Sequence, residues 1–249
     1  MAGGVVNEIK GQKKMIFAVI GLIAVIFLGF YLLNTGKMNV VDDILNENSS
    51  ITYPNSNNST NQNTNTSTAE NNSKNNKYSS EPVMSLKPNT DYQAEIVTDK
   101  GTIVVDLYEE DTPRTVNSFV FLANDDFFDG LTFHRVFPNF VIQGGDPLGT
   151  GMGGPGYKFI NEIVSKYKFE PYVLAMANAG ANTNGSQFFI TTGTSKGSIE
   201  SLDGDYTIFG KVLSGQSVVD AIAQTPADPN SGAVTGVKPV ITTINILEK

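Results

Sequence analysis

Residues 15–33, MIFAVIGLIAVIFLGFYLL, run for 19 positions without a charge. At a helical rise of ~1.5 Å per residue such a run reaches roughly 28 Å, close to the hydrocarbon thickness of a bilayer. An apolar segment of this length either crosses a membrane or is removed as an export signal. Signal-peptide apolar regions are shorter, about 7–15 residues, and the sequence YLLNTGKMN offers no A-x-A-like cleavage site. A retained transmembrane anchor helix is therefore expected over 15–33. Lys10, Lys13 and Lys14 precede it and hold residues 1–14 on the cytoplasmic side, so everything downstream is expected outside the membrane. The chain has no cysteine, which rules out a lipid-acylated cysteine anchor and obliges the exported part to fold without disulfides.

Beyond the anchor, residues 46–80 are rich in Asn, Ser and Thr and nearly free of aliphatic side chains. Such a segment buries too little apolar surface to offset its ordering entropy, so 34–90 is read as a disordered tether. About 35 residues of flexible coil have a root-mean-square reach of roughly 30 Å. The net charge of −8 makes the exported part a poor match for nucleic-acid phosphates, and no nucleic-acid partner is expected.

From about Tyr92 the texture changes, and 91–249 is expected to form the one folded domain. YQAEIVTDKGTIVVDLY reads as two alternating strands joined at Asp99-Lys100-Gly101. DTPRTVNSFVFLANDD reads as a helix capped at Asp111 or Thr112, with Pro113 in its first turn and a core stripe of Val116, Phe119, Val120 and Ala123. LTFHRVF, FVIQGG, YVLAMAN, SQFFITTG, YTIFGKVL and PVITTINILE supply six further strands, and GQSVVDAIAQ a second helix. The expected class is all-β: a closed eight-stranded antiparallel barrel capped by two helices.

Several motifs lead nowhere chemically. GTSKG, Gly193 to Gly197, matches the pattern G-x-S-x-G, but no helical pattern follows Ser195 and the only histidine lies upstream. GTGMGGPG, Gly149 to Gly156, lacks the G-K-[ST] ending of a phosphate loop and reads as a loop bordering a groove. One histidine and no cysteine argue against a transition-metal site, and no cofactor is expected. The Asp125–Asp126 and Glu109–Asp111 pairs read as solvated helix ends. What remains is the stretch FHRVFPNFVIQGGDP, which holds one of only two arginines among 17 basic residues. Arg135 sits there among Phe133, Phe137, Phe140, Val141 and Gln143, and an arginine differs from a lysine in its planar, permanently charged fork of donors. Asn178, Gln187, Phe189, Leu202 and Tyr206 add an apolar pocket with a few polar donors. No nucleophile or proton-shuttling pair accompanies them, which fits a reaction in which no bond is made or broken. Phe188 and Phe189 point to opposite faces of one strand, so one of them faces outward or into the pocket.

FHRVFPNFVIQGGDPLGTGMGGPG, MANAGANTNGSQFFI and LDGDYTIFGKV together resemble, in order, the signature segments of the cyclophilins, the peptidyl-prolyl cis-trans isomerases. The similarity runs from about residue 92 to 248. It implies a barrel with two capping helices and a substrate groove on its outer face. Arg135 matches the family's catalytic arginine, and Phe140, Gln143, Asn178, Gln187, Phe189 and Leu202 match groove residues. Val141 stands where many members carry Met, and Tyr206 replaces a frequent His. Ser201 holds the place of the Trp found in cyclosporin-sensitive members, so cyclosporin binding is expected to be weak. Selection of Phe189 over Phe188 for the pocket follows from the resemblance.

The residues also suggest how the reaction proceeds. Amide resonance sets a barrier of about 18–20 kcal/mol to rotation, and uncatalysed exchange at X-Pro takes tens to hundreds of seconds, roughly. Twisting the bond returns the lone pair to the proline nitrogen, creating a hydrogen-bond acceptor that the ground state lacks. A guanidinium aimed there favours the transition state over the substrate. Arg135 is expected to supply that bond, with Gln143 holding its fork as the second catalytic residue. Phe140, Val141, Met176, Phe189 and Leu202 are expected to clamp the ring, and Ala177, Asn178, Gln187 and Tyr206 to complete the substrate-binding set. His134 either lines the groove or satisfies a local backbone group, and is counted with that set. The partners expected are proline-containing polypeptides and, through the N-terminal helix, the membrane. The rival reading is a non-catalytic groove that only captures proline-containing segments.

Overall fold

A computed structural model describes residues 71–192 and 199–249, all within one compact unit, Asn61–Lys249. The apolar run 15–33 and the GTSKG motif at 193–197 lie outside the described residues. Among the described residues no helix is long and apolar enough to cross a membrane.

β-branched and aromatic residues at alternating positions build eight strands: β1 (Tyr92–Thr98), β2 (Gly101–Leu107), β3 (Arg135–Phe137), β4 (Val141–Gly144), β5 (Val173–Met176), β6 (Phe188–Thr191), β7 (Ile208–Ser214) and β8 (Ile241–Glu248). They form one sheet in the order β3-β4-β6-β5-β7-β2-β1-β8, antiparallel at every junction. β1 and β2 meet across the two-residue turn Asp99–Lys100, where Thr98 pairs with Gly101. Among the described residues, the helices α1 (Pro113–Asn124) and α2 (Gln216–Ala223) and a 3-10 turn at Ile199–Leu202 pack with this sheet. The stripe read from the sequence holds: Val116, Phe119, Val120 and Ala123 are all buried on α1.

The barrel is not closed, which corrects the expectation from strand count. β3 and β8 end the sheet without pairing with each other. The curled sheet is spanned there by irregular chain: Gly130 N donates to Ile241 O (2.8 Å), Phe133 N to Pro239 O (2.9 Å) and Ile241 N to Leu131 O (2.7 Å). Pro239 has no N–H to give a ladder, so the gap holds a bridge at Thr132–Val240 in place of a strand pair.

Thr112 caps α1 without a side-chain bond to the helix. Its first-turn donors are met from outside: Arg114 N and Thr115 N bond the Glu162 carboxylate at 3.2 and 2.8 Å, and Thr115 Oγ1 adds a third bond at 2.7 Å. An anion at a helix N-terminus satisfies the orphan N–H groups and the positive end of the dipole together.

Residues 71–90, read from sequence as tether, are seated on the domain. Residues 71–74 form a helical turn, from which Lys74 Nζ donates to the Asp126 and Asp129 carbonyls at 2.8 and 2.6 Å. Tyr78 packs edge-on to Phe121 (5.1 Å) and near Phe127 and Tyr157, and its hydroxyl bonds Asp125. Glu81 takes both Nε and Nη2 of Arg114, and Asn117 holds the Pro82–Ser85 backbone. Low aliphatic content was the reason to expect disorder; polar bonds to carbonyls and carboxylates, with Tyr78 and Leu86 packed on the core, do the ordering instead.

Candidate functional site

Strand alternation sorts the side chains into two clusters. Phe133, Val136, Ile142, Leu174, Met176, Phe188, Ile190 and Phe209 belong to the main core. Val141, Val173, Ala175, Phe189 and Ile208, one residue out of phase, form a second cluster with Phe169 and Ile199. Phe137, Phe140, Ala177, Leu202 and Tyr206 are only partly buried and pack against that second cluster. This is the groove face expected for Phe140, Val141, Ala177, Phe189, Leu202 and Tyr206. Met176 is not there. It is 2 % exposed, pairs across with Phe188 and shares the core side with Leu174, so it lies behind the groove floor.

The floor is aromatic. Phe169 stacks on Phe189 at 5.8 Å and Tyr206 meets Phe189 edge-on at 5.6 Å. Burial raises the Tyr206 hydroxyl above its ordinary pKa, with nearby Asp205 adding and Arg135 opposing. Phe140 lies 6.4 Å from Phe137 in a T-shaped pair. Asn139, at φ 62°, turns the chain between β3 and β4.

Arg135 opposes Gln143 in the β3–β4 register. Its Nε donates to the Ser231 carbonyl at 2.8 Å, and its Cζ sits 5.1 Å over the Phe137 ring. Burial lowers its pKa from the ordinary arginine value, leaving it a cation. Among the described residues no carboxylate pairs with Arg135, and no protein group takes its two Nη atoms. Ser231 is itself set by Asp228, whose Oδ1 accepts the Asn230 and Ser231 N–H groups and the Ser231 hydroxyl. Those bonds hold the Asp228 carboxyl below its usual range. The expected Gln143 grip on the guanidinium is absent: Gln143 Nε2 donates to Gln187 Oε1 at 2.9 Å, and Gln187 Nε2 to the Gly153 carbonyl at 2.9 Å. A backbone carbonyl holds the fork, and the two glutamines form a separate chain at its side. Asn178 braces its own loop, donating to Asp205 O and accepting from Gly180 N, both at 3.1 Å.

The glycine loop bordering this face already contains an anion. Asp146, 1 % exposed, accepts Leu148 N and Thr150 N at 2.8 Å and Gly151 N at 2.5 Å. Its backbone donors are therefore spent on an internal carboxylate, which explains why the loop is no phosphate cradle. At Gly145 (φ +81°) a Cβ would sit 2.3 Å from the Ser186 carbonyl, so only glycine lets β4 run into the loop. His134 is buried near this loop at 4 % exposure and not in the groove. The Thr132 backbone is near it, but neither ring nitrogen reaches hydrogen-bond geometry with a described group. Of the residues read from sequence, Arg135, Phe140, Val141, Gln143, Ala177, Asn178, Gln187, Phe189, Leu202 and Tyr206 come together; His134 and Met176 lie behind them.

Comparisons with known proteins agree with this fold. A family model described as "Cyclophilin type peptidyl-prolyl cis-trans isomerase/CLD" matches residues 93–246. A relative from Streptomyces anulatus, peptidyl-prolyl cis-trans isomerase B, is 46% identical over 156 residues, covering 55% of this chain and 87% of its own. Peptidyl-prolyl cis-trans isomerase ppi1 of Schizosaccharomyces pombe is 45% identical over 148 residues, 58% of this chain and 93% of its own. The crystal structure of a Cryptosporidium parvum cyclophilin-type isomerase superposes with a TM-score of 0.58 at 32% identity, covering 64% of this chain and 99% of that one. A second crystal structure of that protein, in the presence of the dipeptide Ala-Pro, gives 0.57 at 32% identity over 63% of this chain and 99% of that one.

Burial depresses the His134 pKa from 6.5 to about 4, against the pull of Asp146 and with Lys238 and Arg135 adding to the depression. The unfolded chain therefore binds this proton first, so His134's contribution is intact above pH 6.5 and is lost as pH falls from 6.5 towards 4. Replacing His134 with Gln should flatten that part of the stability curve. Urea unfolding of both proteins across this range measures it, and parallel curves would show that His134 is not the group responsible.

Proposed function

The chain belongs to the cyclophilin-type peptidyl-prolyl cis-trans isomerases, and from that premise we propose how its groove carries the reaction and where the enzyme stands in the cell. Catalysis is the settled part: the chain is a peptidyl-prolyl cis-trans isomerase, and a capture-only role is set aside. The substrate is a polypeptide containing X-Pro.

The proline ring rests on Phe189 between Phe140, Val141 and Leu202, with Tyr206 closing one side. The acyl half rotates, its carbonyl steadied by the Asn178 backbone. Arg135 donates to the proline nitrogen as the bond passes through its twisted form. What supports this reading is one observation above all: Nε of Arg135 is fixed on the Ser231 carbonyl while its two Nη atoms have no protein acceptor among the described residues. A cation so placed has donors to spare, and it carries no ion pair to be broken before use. Gln143 and Gln187 hold the adjoining wall.

Arg135→Ala should lower kcat/KM on an X-Pro peptide about 30- to 1000-fold, the cost of a charge-assisted donor made in the transition state. Arg135→Lys should recover only part of this, since an ammonium lacks the fork. A protease-coupled proline assay measures both, and near wild-type turnover in Arg135→Ala removes Arg135 from the mechanism.

The isomerase domain stands outside the membrane, acting on exported or surface proteins and held by a single helix at 15–33. The charge-free run and its lysine flank support this. Expressed in its host, the full chain should sediment with membranes, and deletion of residues 1–34 should release it; a full chain found in the soluble fraction contradicts the anchor. Cyclosporin binds weakly, because Ser201, exposed beside the groove, offers no indole for contact. Inhibition by cyclosporin should strengthen in Ser201→Trp; strong inhibition of the unaltered protein would refute this.

A further inference from the structure

The segment before β1 lies outside the residues matched by the family model, yet it touches the loop that ends in the catalytic wall. Gly154 N donates to Asn75 Oδ1 at 3.1 Å, Asn76 N to Gly154 O at 2.9 Å, and Tyr78 N to Pro155 O at 2.8 Å. Asn76 is held at φ 57° to make this turn. The approach is close enough that a Cβ on Gly156 (φ +109°) would fall 2.1 Å from the Tyr78 carbonyl. One residue earlier in the loop, the Gly153 carbonyl takes Gln187, which takes Gln143, the neighbour of Arg135.

We propose that residues 75–78 are positioning residues for the isomerase: they clamp Gly154 and Pro155, and thereby fix the Gly153 carbonyl that orients Gln187 and Gln143 beside Arg135. The clamp is anchored elsewhere. Tyr78 is seated in the Phe121–Phe127–Tyr157 aromatic cluster and, with Lys77, bonds Asp125. Without it the loop retains the Asp146 bonds at Leu148, Thr150 and Gly151, all on its first half, while Gly154 and Pro155 lose these three partners. The proposal rests on the reading of Arg135 as the catalytic donor, with Gln143 and Gln187 as the wall beside it.

The decisive side chain is Asn75, because Asn75→Ala removes the acceptor whereas Asn75→Asp keeps one. In the full chain, Asn75→Ala should lower kcat/KM about two- to tenfold, the worth of one neutral hydrogen bond, with the thermal midpoint little changed. Amide exchange at Gly154 should quicken. Asn75→Asp should restore both the rate and the protection, a rescue that a merely structural role would not show in the rate. Tyr78→Ala, which unseats the clamp, should cost at least as much rate as Asn75→Ala. Wild-type kcat/KM in Asn75→Ala overturns the proposal, whether or not Gly154 exchange changes. If Arg135→Ala is inactive while Asn75→Ala is not impaired, the clamp alone is wrong; if Arg135→Ala keeps its rate, the catalytic reading beneath it is the one that fails.

Discussion

A strand offers successive side chains to opposite faces of its sheet, and the site depends on how this chain uses that constraint. In β5 and β6 every residue is buried, so neither face is left to water: one serves the core under α1 and α2, the other the groove. Each residue committed to one face is denied to the other. Phe188 fills the core and Phe189 floors the groove; Ile142 and Val141 divide in the same way. Arg135 and Gln143, paired across β3 and β4, share the phase of Val141 and Phe137. The cation is thus delivered to an apolar face by register alone, and a one-residue slip would bury it.

The irregular chain supplies what the sheet does not. Asp228 shapes the turn whose Ser231 carbonyl fixes the guanidinium, and Asp146 fills the glycine loop from within. Both carboxylates act on backbone N–H groups, so two acidic side chains near the groove do architectural duty and neither neutralises Arg135. A guanidinium restrained through a neutral carbonyl keeps its full charge available to a neutral substrate.

Much of this was legible in the sequence. Eight strands and the α1 stripe follow from period and turn chemistry, because those signals are local, whereas the groove set from Phe140 to Tyr206 needed the family resemblance as well. Met176 belongs to the core although the groove was expected for it: it stands two residues from Leu174 on one strand and so shares its face. The holders of polar groups were hidden for a different reason. A carbonyl such as that of Ser231 carries no residue-type signal, and Glu162 caps a helix some 47 residues away in the chain. The strap at 71–90 was hidden because its order comes mainly from polar bonds, with only Tyr78 and Leu86 packed on the core, where composition registers only the scarcity of aliphatic side chains. The open seam was hidden because the edge of β3 is taken by residues 232–234, a loop pairing that no strand pattern announces.

The position of that strap has a mechanical consequence. The backbone of Asp91 and Lys249 pairs at the edge where β1 meets β8, and such an edge peels readily if the chain is drawn from its end. Here the chain is fastened upstream, at Asn71, Lys74, Tyr78 and Glu81, before β1 begins. Tension arriving along the preceding residues is borne first by those fastenings, and the sheet that carries the groove stays unloaded until they give way.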